Sequence, residues 1–231
     1  LGAVALLGAP DLMAQPTYCE SDELIVLQVE DAVASGGWVF ESSVPESTGN
    51  GYFRWTGGNQ FNSPGLGVIT YVLNVTNPGV YNMRIRNWHL DVTEQNDLWV
   101  RMDGNAWVKC YSSLTEWNWS TRLESTNNPA EYFLSAGQHI LQISGRSQDF
   151  IIDRIHFYQD GVAPPLALFY DTSVCAGTWT DLGNGLAGTG NMTPTLEGDG
   201  ALTSGATTTL TLDDARPNTV ASLVLGISQI N

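Results

Sequence analysis

Residues 148–158 read QDFIIDRIHFY. Strict strand alternation divides this run into two faces: Phe150, Ile152, Arg154, His156 and Tyr158 on one, Ile151, Asp153, Ile155 and Phe157 on the other. A carboxylate thus shares the greasy face. A lone ionised Asp in a core is costly unless it is paired, hydrogen-bonded or bound to a metal, so the partner of Asp153 decides how the chain is read. A second anomaly lies near the N-terminus. In LIVLQVED, residues 24–31, the face that begins with Leu24 and Val26 continues with Gln28 and Glu30.

Working outward, residues 23–160 break into short alternating runs, among them GYFRWT, GVITYVLNV, VYNMRIRNW, DLWVRMD, AWVKCYS, WNWSTRL, EYFLS and HILQISG. Turn-forming stretches rich in Gly, Pro and Asn separate them, such as TNPG at 76–79, DGNA at 103–106 and STNNPA at 125–130. No long helical period interrupts the pattern, which predicts an all-β chain built on a β-sandwich. After Asp160 the composition shifts. Residues 161–176 read as a linker, and 177–231, rich in Gly, Thr and Leu, as a second small β module that is cut short. The opening LGAVALLGAPDLMAQ, residues 1–15, reads as the remnant of a secretory signal, which predicts a secreted or cell-surface protein without membrane insertion.

With 24 acidic against 9 basic residues, a net charge of -15 and a pI of about 4.2, the chain is poorly suited to nucleic acid or anionic lipid. Cys19, Cys110 and Cys175 allow at most one intrachain disulfide. Either Cys19 pairs with Cys175, both in flanking segments, or all three stay unpaired. Neither H-E-x-x-H, G-x-S-x-G, a phosphate loop nor a dinucleotide fingerprint is present.

If the first and last strands of the sandwich lie close together, Gln28, Glu30 and Asp153 converge as oxygen donors, a set that suits Ca²⁺. Two other readings stay open. Asp153 could pair with Arg86 or Arg146, or Glu30 and Asp153 could be a catalytic carboxylate pair of glycosidase type.

The segments VLQVEDAVASGGW, GYFRWTGGNQFNSPGLGVITYVLNVTNPGVYNMRIRNW, NDLWVRMDG, LSAGQHILQISGRS and FIIDRIHFY together resemble a carbohydrate-binding module of the family 6/35/36 clan, over residues 23–160. The resemblance implies a galactose-binding-type jelly roll with a structural Ca²⁺. Gln28, Glu30 and Asp153 fall on its metal positions, with Gln28 where Glu is usual. It also implies non-catalytic binding of a polysaccharide or glycan, within a larger extracellular chain that can include a glycoside hydrolase. Sugar sites combine an aromatic platform with polar groups at its rim. The resemblance puts a sugar-stacking tryptophan at Trp117, beside a packed Trp119, and aromatics of the loop rim at Tyr52 and Trp55. Asn96, Asp97 and Arg146 are the expected polar partners, and Trp88 a further rim candidate beside His89. Many family 6 members carry Asn two residues before the closing Asp, where this chain has Ile151, so Arg146, Ser147 and Gln148 are the expected replacements. A structural or adhesive surface domain that kept the jelly roll and lost the sugar site is the alternative.

Overall fold

The computed structural model describes residues 16–91, 93–175, 193–199 and 209–213. The chain divides into two units, residues 1–175 and 176–231. The signal-like residues 1–15 and most of the region read as a second module lie outside the described residues.

In the first unit the strands are β1 (Thr17–Cys19), β2 (Leu24–Gln28), β3 (Trp38–Glu41), β4 (Tyr52–Trp55), β5 (Ile69–Val75), β6 (Gly79–Trp88), β7 (Asp97–Met102), β8 (Val108–Tyr111), β9 (Arg122–Leu123), β10 (Asn128–Pro129), β11 (Glu131–Leu134), β12 (Gly137–Ser144) and β13 (Ile151–Tyr158). One sheet runs β1-β5-β12-β7-β8-β9-β10, the other β11-β6-β13-β4-β3 with β2 also paired to β13. Apart from the parallel pair β1–β5, the neighbours are antiparallel; the two sheets form the β-sandwich that the alternating runs predict, a jelly roll as the resemblance implies. In the second unit β14 (Thr195–Asp199) pairs antiparallel with β15 (Thr209–Asp213).

The core lies between the two sheets. Strand β5 shows why: Ile69, Tyr71, Leu73 and Val75 are buried, and the residues between them are partly exposed. Trp55 and Trp38 meet edge-on at 5.3 Å at one end of this core. The Trp55 indole is walled by glycines. A β-carbon on Gly145 would lie 2.1 Å from Trp55 Cδ2, and one on Gly57 2.3 Å from Cζ2, so backbone passes where no side chain fits.

Strand β13 departs from the predicted alternation. Its register against β6 shifts between Ile152 and Arg154, a β-bulge centred on Asp153. Phe150 and Ile152 join the core before the bulge, Ile155 and Phe157 after it. The extra residue shifts the inward phase by one, so Asp153 leaves the apolar face and joins the outer face of its sheet. Glu30 departs as well: β2 ends at Gln28, and Val29–Asp31 form a 3-10 turn.

Residues 161–175, read as a linker, fold back over the outer face of the second sheet. Arg154 donates to the carbonyl oxygen of Leu168 at 2.7 Å and to that of Tyr170, Val26 N donates to Ser173 Oγ at 2.8 Å, and Cys175 is disulfide-bonded to Cys19. Cys110 is free and buried in the core.

Candidate functional site

The outer face of the second sheet carries an unusual polar layer. On β6, Tyr81, Met83 and Ile85 enter the core, which leaves Arg84, Arg86 and Trp88 pointing outward. On β4, Phe53 and Trp55 enter the core, which turns Tyr52 and Arg54 outward. Two loops lie over this layer: residues 42–51, and residues 112–121, which join β6 through an isolated bridge between Asn87 and Asn118.

Asp153 is fully buried under the first of these loops. It forms an ion pair with Arg86, and Thr48 donates to both its oxygens from the backbone N, at 3.1 and 3.2 Å, and from Oγ1 at 3.0 Å. Thr48 Oγ1 is also 3.1 Å from Gln28 Oε1, and Asn50 N donates to Glu30 Oε1 at 2.8 Å. Gly49 (φ 59°) crosses above: a β-carbon there would stand 2.2 Å from Glu30 Oε1 and 2.3 Å from Gln28 Nε2. The loop thus closes on the very trio singled out in the sequence. Burial, and then the charge of Asp153, push the Glu30 carboxyl up to about 7. Burial raises Asp153 too, against the pull of Arg86.

The donor set suits a hard cation. Gln28, Glu30 and Asp153 offer side-chain oxygens beside Thr48, and Glu30 Oε2 is buried without a hydrogen-bond partner. Arg86 already supplies one positive charge to the cluster.

Trp117 stacks over the other side of this arrangement. The guanidinium carbon of Arg86 lies 4.3 Å from its ring centroid, its indole N–H donates to the Pro45 carbonyl oxygen at 2.7 Å, and Tyr52 meets it edge-on at 6.0 Å. Trp119, two residues on, packs on His156 at 4.6 Å. Next to Trp117 a cleft of about 440 Å³ opens between the two loops, lined by Ser43, Val44, Pro45, Glu46, Trp88, Leu90 and Glu116. Glu46 (φ 67°) and Glu116 (φ 60°) both hold the left-handed backbone conformation that ordinary residues avoid.

Of the expected sugar-site residues, Trp88 and Trp117 come together in this cleft. The others do not. Trp55 is 0% exposed because β4 alternation turns it into the core. Tyr52, also 0% exposed, faces outward but lies beneath the 42–51 loop, where its hydroxyl is 3.0 Å from Ser43 Oγ. Asn96 is buried and donates to the Ser112 carbonyl oxygen at 2.9 Å. Asp97 opens β7, is buried, and is held by Arg146 and Ser147. Arg146 lies in the loop after β12 and packs over the first sheet, between Phe61 at 4.9 Å and Trp99 at 5.0 Å. His89 is buried against Phe150. Pro45, Glu46, Leu90 and Glu116 were not anticipated. The one signal that could have pointed to them is adjacency to Trp88 and Trp117 or to the Pro-Glu turn at 45–46.

No family profile and no curated protein sequence matches this chain. Solved structures do resemble it. The family 26 hydrolase–family 35 module β-(1,4)-mannanase of Podospora anserina superposes at a TM-score of 0.47 with 20% identity, over 63% of this chain and 29% of that one. A family 35 carbohydrate-binding module from Clostridium thermocellum gives 0.43 with 17% identity, over 59% of this chain and 98% of its own. The family 35 module of Abf62 from Cellvibrio japonicus gives 0.43 with 17% identity, over 59% and 93%. The likeness is one of fold alone.

Proposed function

We propose that the sandwich is a non-catalytic module that binds a neutral polysaccharide in the cleft between Trp88 and Trp117. The observation that carries this reading is the composition of that cleft: two indoles and the aliphatic Val44, Pro45 and Leu90, faced by the carboxylates of Glu46 and Glu116. A pyranose ring offers an apolar C–H face to an indole, and its rim hydroxyls donate to carboxylates. The same carboxylates repel an acidic sugar, which favours a neutral one.

Gln28, Glu30 and Asp153 would hold a structural Ca²⁺ beneath the 42–51 loop, which forms one wall of the cleft. The ion would supply counter-charge to two buried carboxylates. Secretion agrees with the disulfide Cys19–Cys175 and with the apolar leader. In a larger extracellular protein the module would hold its neighbours close to glycan and so raise their effective concentration.

The test is affinity electrophoresis of the full chain through gels containing neutral polysaccharides (mannan, galactan, glucan, xylan), with Trp88→Ala alongside. Retardation by one polymer, weakened about tenfold or more in the variant, supports the reading. Retardation that Trp88→Ala leaves intact, or none on any neutral polymer, overturns the cleft assignment. The second of these results moves the weight to a structural or adhesive surface domain.

A further inference from the structure

The outer face of the first sheet is chemically the opposite of the cleft. Alternation sends Leu98, Val100 and Met102 of β7, Cys110 of β8 and Leu123 of β9 into the core. That turns Trp99, Arg101, Lys109, Tyr111 and Arg122 outward, and the register sets Trp99 opposite Lys109 and Tyr111 opposite Arg122. With Arg146, four of the chain's nine basic residues gather on this one face of a protein whose net charge is -15. Each cation lies against an aromatic ring or is paired with one across the strands. Arg101 lies 4.4 Å over Trp107, Lys109 5.5 Å over Tyr111, and Arg146 between Phe61 and Trp99.

Acidic groups neutralise only part of it. Asp97 is buried and committed to Arg146 and Ser147, with Lys109 3.8 Å away, and Glu124 pairs with Lys109 at 2.7 Å. The Arg101 Nε donates to Gln142 Oε1 at 2.6 Å, which fixes the guanidinium over Trp107. Among the described residues its two Nη nitrogens have no hydrogen-bond partner. Arg122 spends Nη1 on the Asn127 carbonyl oxygen at 3.2 Å.

We propose that this face of the first sheet is a second polysaccharide surface, specific for an acidic glycan with carboxylate-bearing sugars. A guanidinium with a fixed plane and free Nη groups recognises a carboxylate bidentately, and the adjoining indoles accept sugar faces. Arg101 and Arg122 stand two strands apart, roughly 10 Å or more at the strand spacing of about 4.8 Å. That separation is too wide for one small anion and suits a polymer with repeated carboxylates. The surface differs from the cleft in position and in ligand charge, so the two readings are tested with different polymers.

The experiment is affinity electrophoresis of the full chain in gels containing polyglucuronate, the same polymer after reduction of its carboxyl groups, or polyglutamate. The expected result is retardation by polyglucuronate that fades as salt rises and is at least about tenfold weaker in Arg101→Gln and in Trp107→Ala. A melting transition for each variant verifies that it is folded, and Arg122→Gln is the substitute if either is not. Absence of retardation by polyglucuronate at low salt overturns the proposal. So does equal retardation by the carboxyl-reduced polymer or by polyglutamate, or retardation unchanged in the folded variants.

Discussion

Arg86 lies 4.3 Å beneath the indole of Trp117, with its guanidinium plane shared between that ring and the carboxylate of Asp153. One buried cation therefore couples the bulged strand to the loop that carries the cleft tryptophan. Replacing Arg86 by Met leaves Asp153 buried and unpaired, and removes the floor on which Trp117 rests. Breaking a buried pair from one side costs about 3–5 kcal/mol. Urea denaturation of Arg86→Met in chelator should show a loss of that size. With millimolar calcium the loss should shrink, because an ion held by Gln28, Glu30 and Asp153 would supply counter-charge. A loss that is identical with and without calcium contradicts the metal assignment.

The glycine wall around Trp55 gives a second expectation, free of electrostatics. A β-carbon on Gly145 would lie 2.1–2.3 Å from three indole atoms of a side chain that is fully buried and held by its N–H to the Gly58 carbonyl oxygen at 2.7 Å. Neither the ring nor the backbone can retreat without disturbing Trp38. Gly145→Ala should therefore destabilise by about 1–3 kcal/mol, the usual cost of overpacking a core. Gly104→Ala, where a β-carbon meets nothing within 4 Å but φ is +69°, carries only the smaller backbone cost. The midpoints of the two urea curves separate the two effects.

Much of this was legible in the residues themselves, and the parts that were not share a cause. Alternation in Ile69–Val75 and turn residues such as Asn77–Pro78 signal a sandwich because each is a local property. Asp153 stands out as anomalous in the sequence alone, yet strict alternation gives it the wrong face: one bulge residue reverses the phase, and nothing in FIIDRIHFY marks where the extra residue falls. Trp55 and Trp88 both end aromatic strands, and only the sheet geometry turns one inward and leaves the other at a cleft. Asp97 and Arg146 sit apart from the cleft because Asp97 opens β7 of the first sheet and holds Arg146, in the loop after β12, against that sheet. The cationic face was invisible because it is assembled by register among β7, β8 and β9, a non-local property.

The strap formed by residues 161–175 depends on its far end. Cys19 and Cys175 are 156 residues apart in sequence, and the bond closes the loop that contains the whole sandwich. Cross-links across loops this long contribute up to about 5 kcal/mol in the chain-entropy description. The double variant Cys19→Ser/Cys175→Ser should lose about 2–5 kcal/mol in urea, whereas Cys110→Ala should be affected only through its core packing. Hydrogen exchange should show the largest gain at Val26, whose amide is covered by Ser173.

His156 makes the sandwich sensitive to acid. The ring is fully buried between Trp119 and Tyr170, Nδ1 bonds to the Pro165 carbonyl oxygen at 2.7 Å, and Nε2 is buried without a partner. Protonation would place a charge on a nitrogen with nothing to accept its hydrogen. Burial, followed by the nearby charge of Arg154, outweighs the Pro165 bond and lowers the imidazole to about 4. In the unfolded chain the ring takes up its proton near the ordinary value of about 6.5, so the unfolded state binds more protons between pH 6.5 and 4. The contribution of His156 is therefore complete above pH 6.5 and is lost as the pH falls towards 4, by roughly 3 kcal/mol in all. His139 acts in the opposite sense. Burial lowers its pKa, but Asp103 and the Ser135 carbonyl oxygen raise it by more, so its contribution is present at low pH and lost as the pH rises through its folded value. Urea midpoints of the protein and of His156→Gln at pH 7 and pH 4.5 isolate the first effect. The variant should be weaker than the parent at pH 7, and the gap should narrow or reverse at pH 4.5. A gap that stays constant across that range means that His156 is not a buried neutral imidazole.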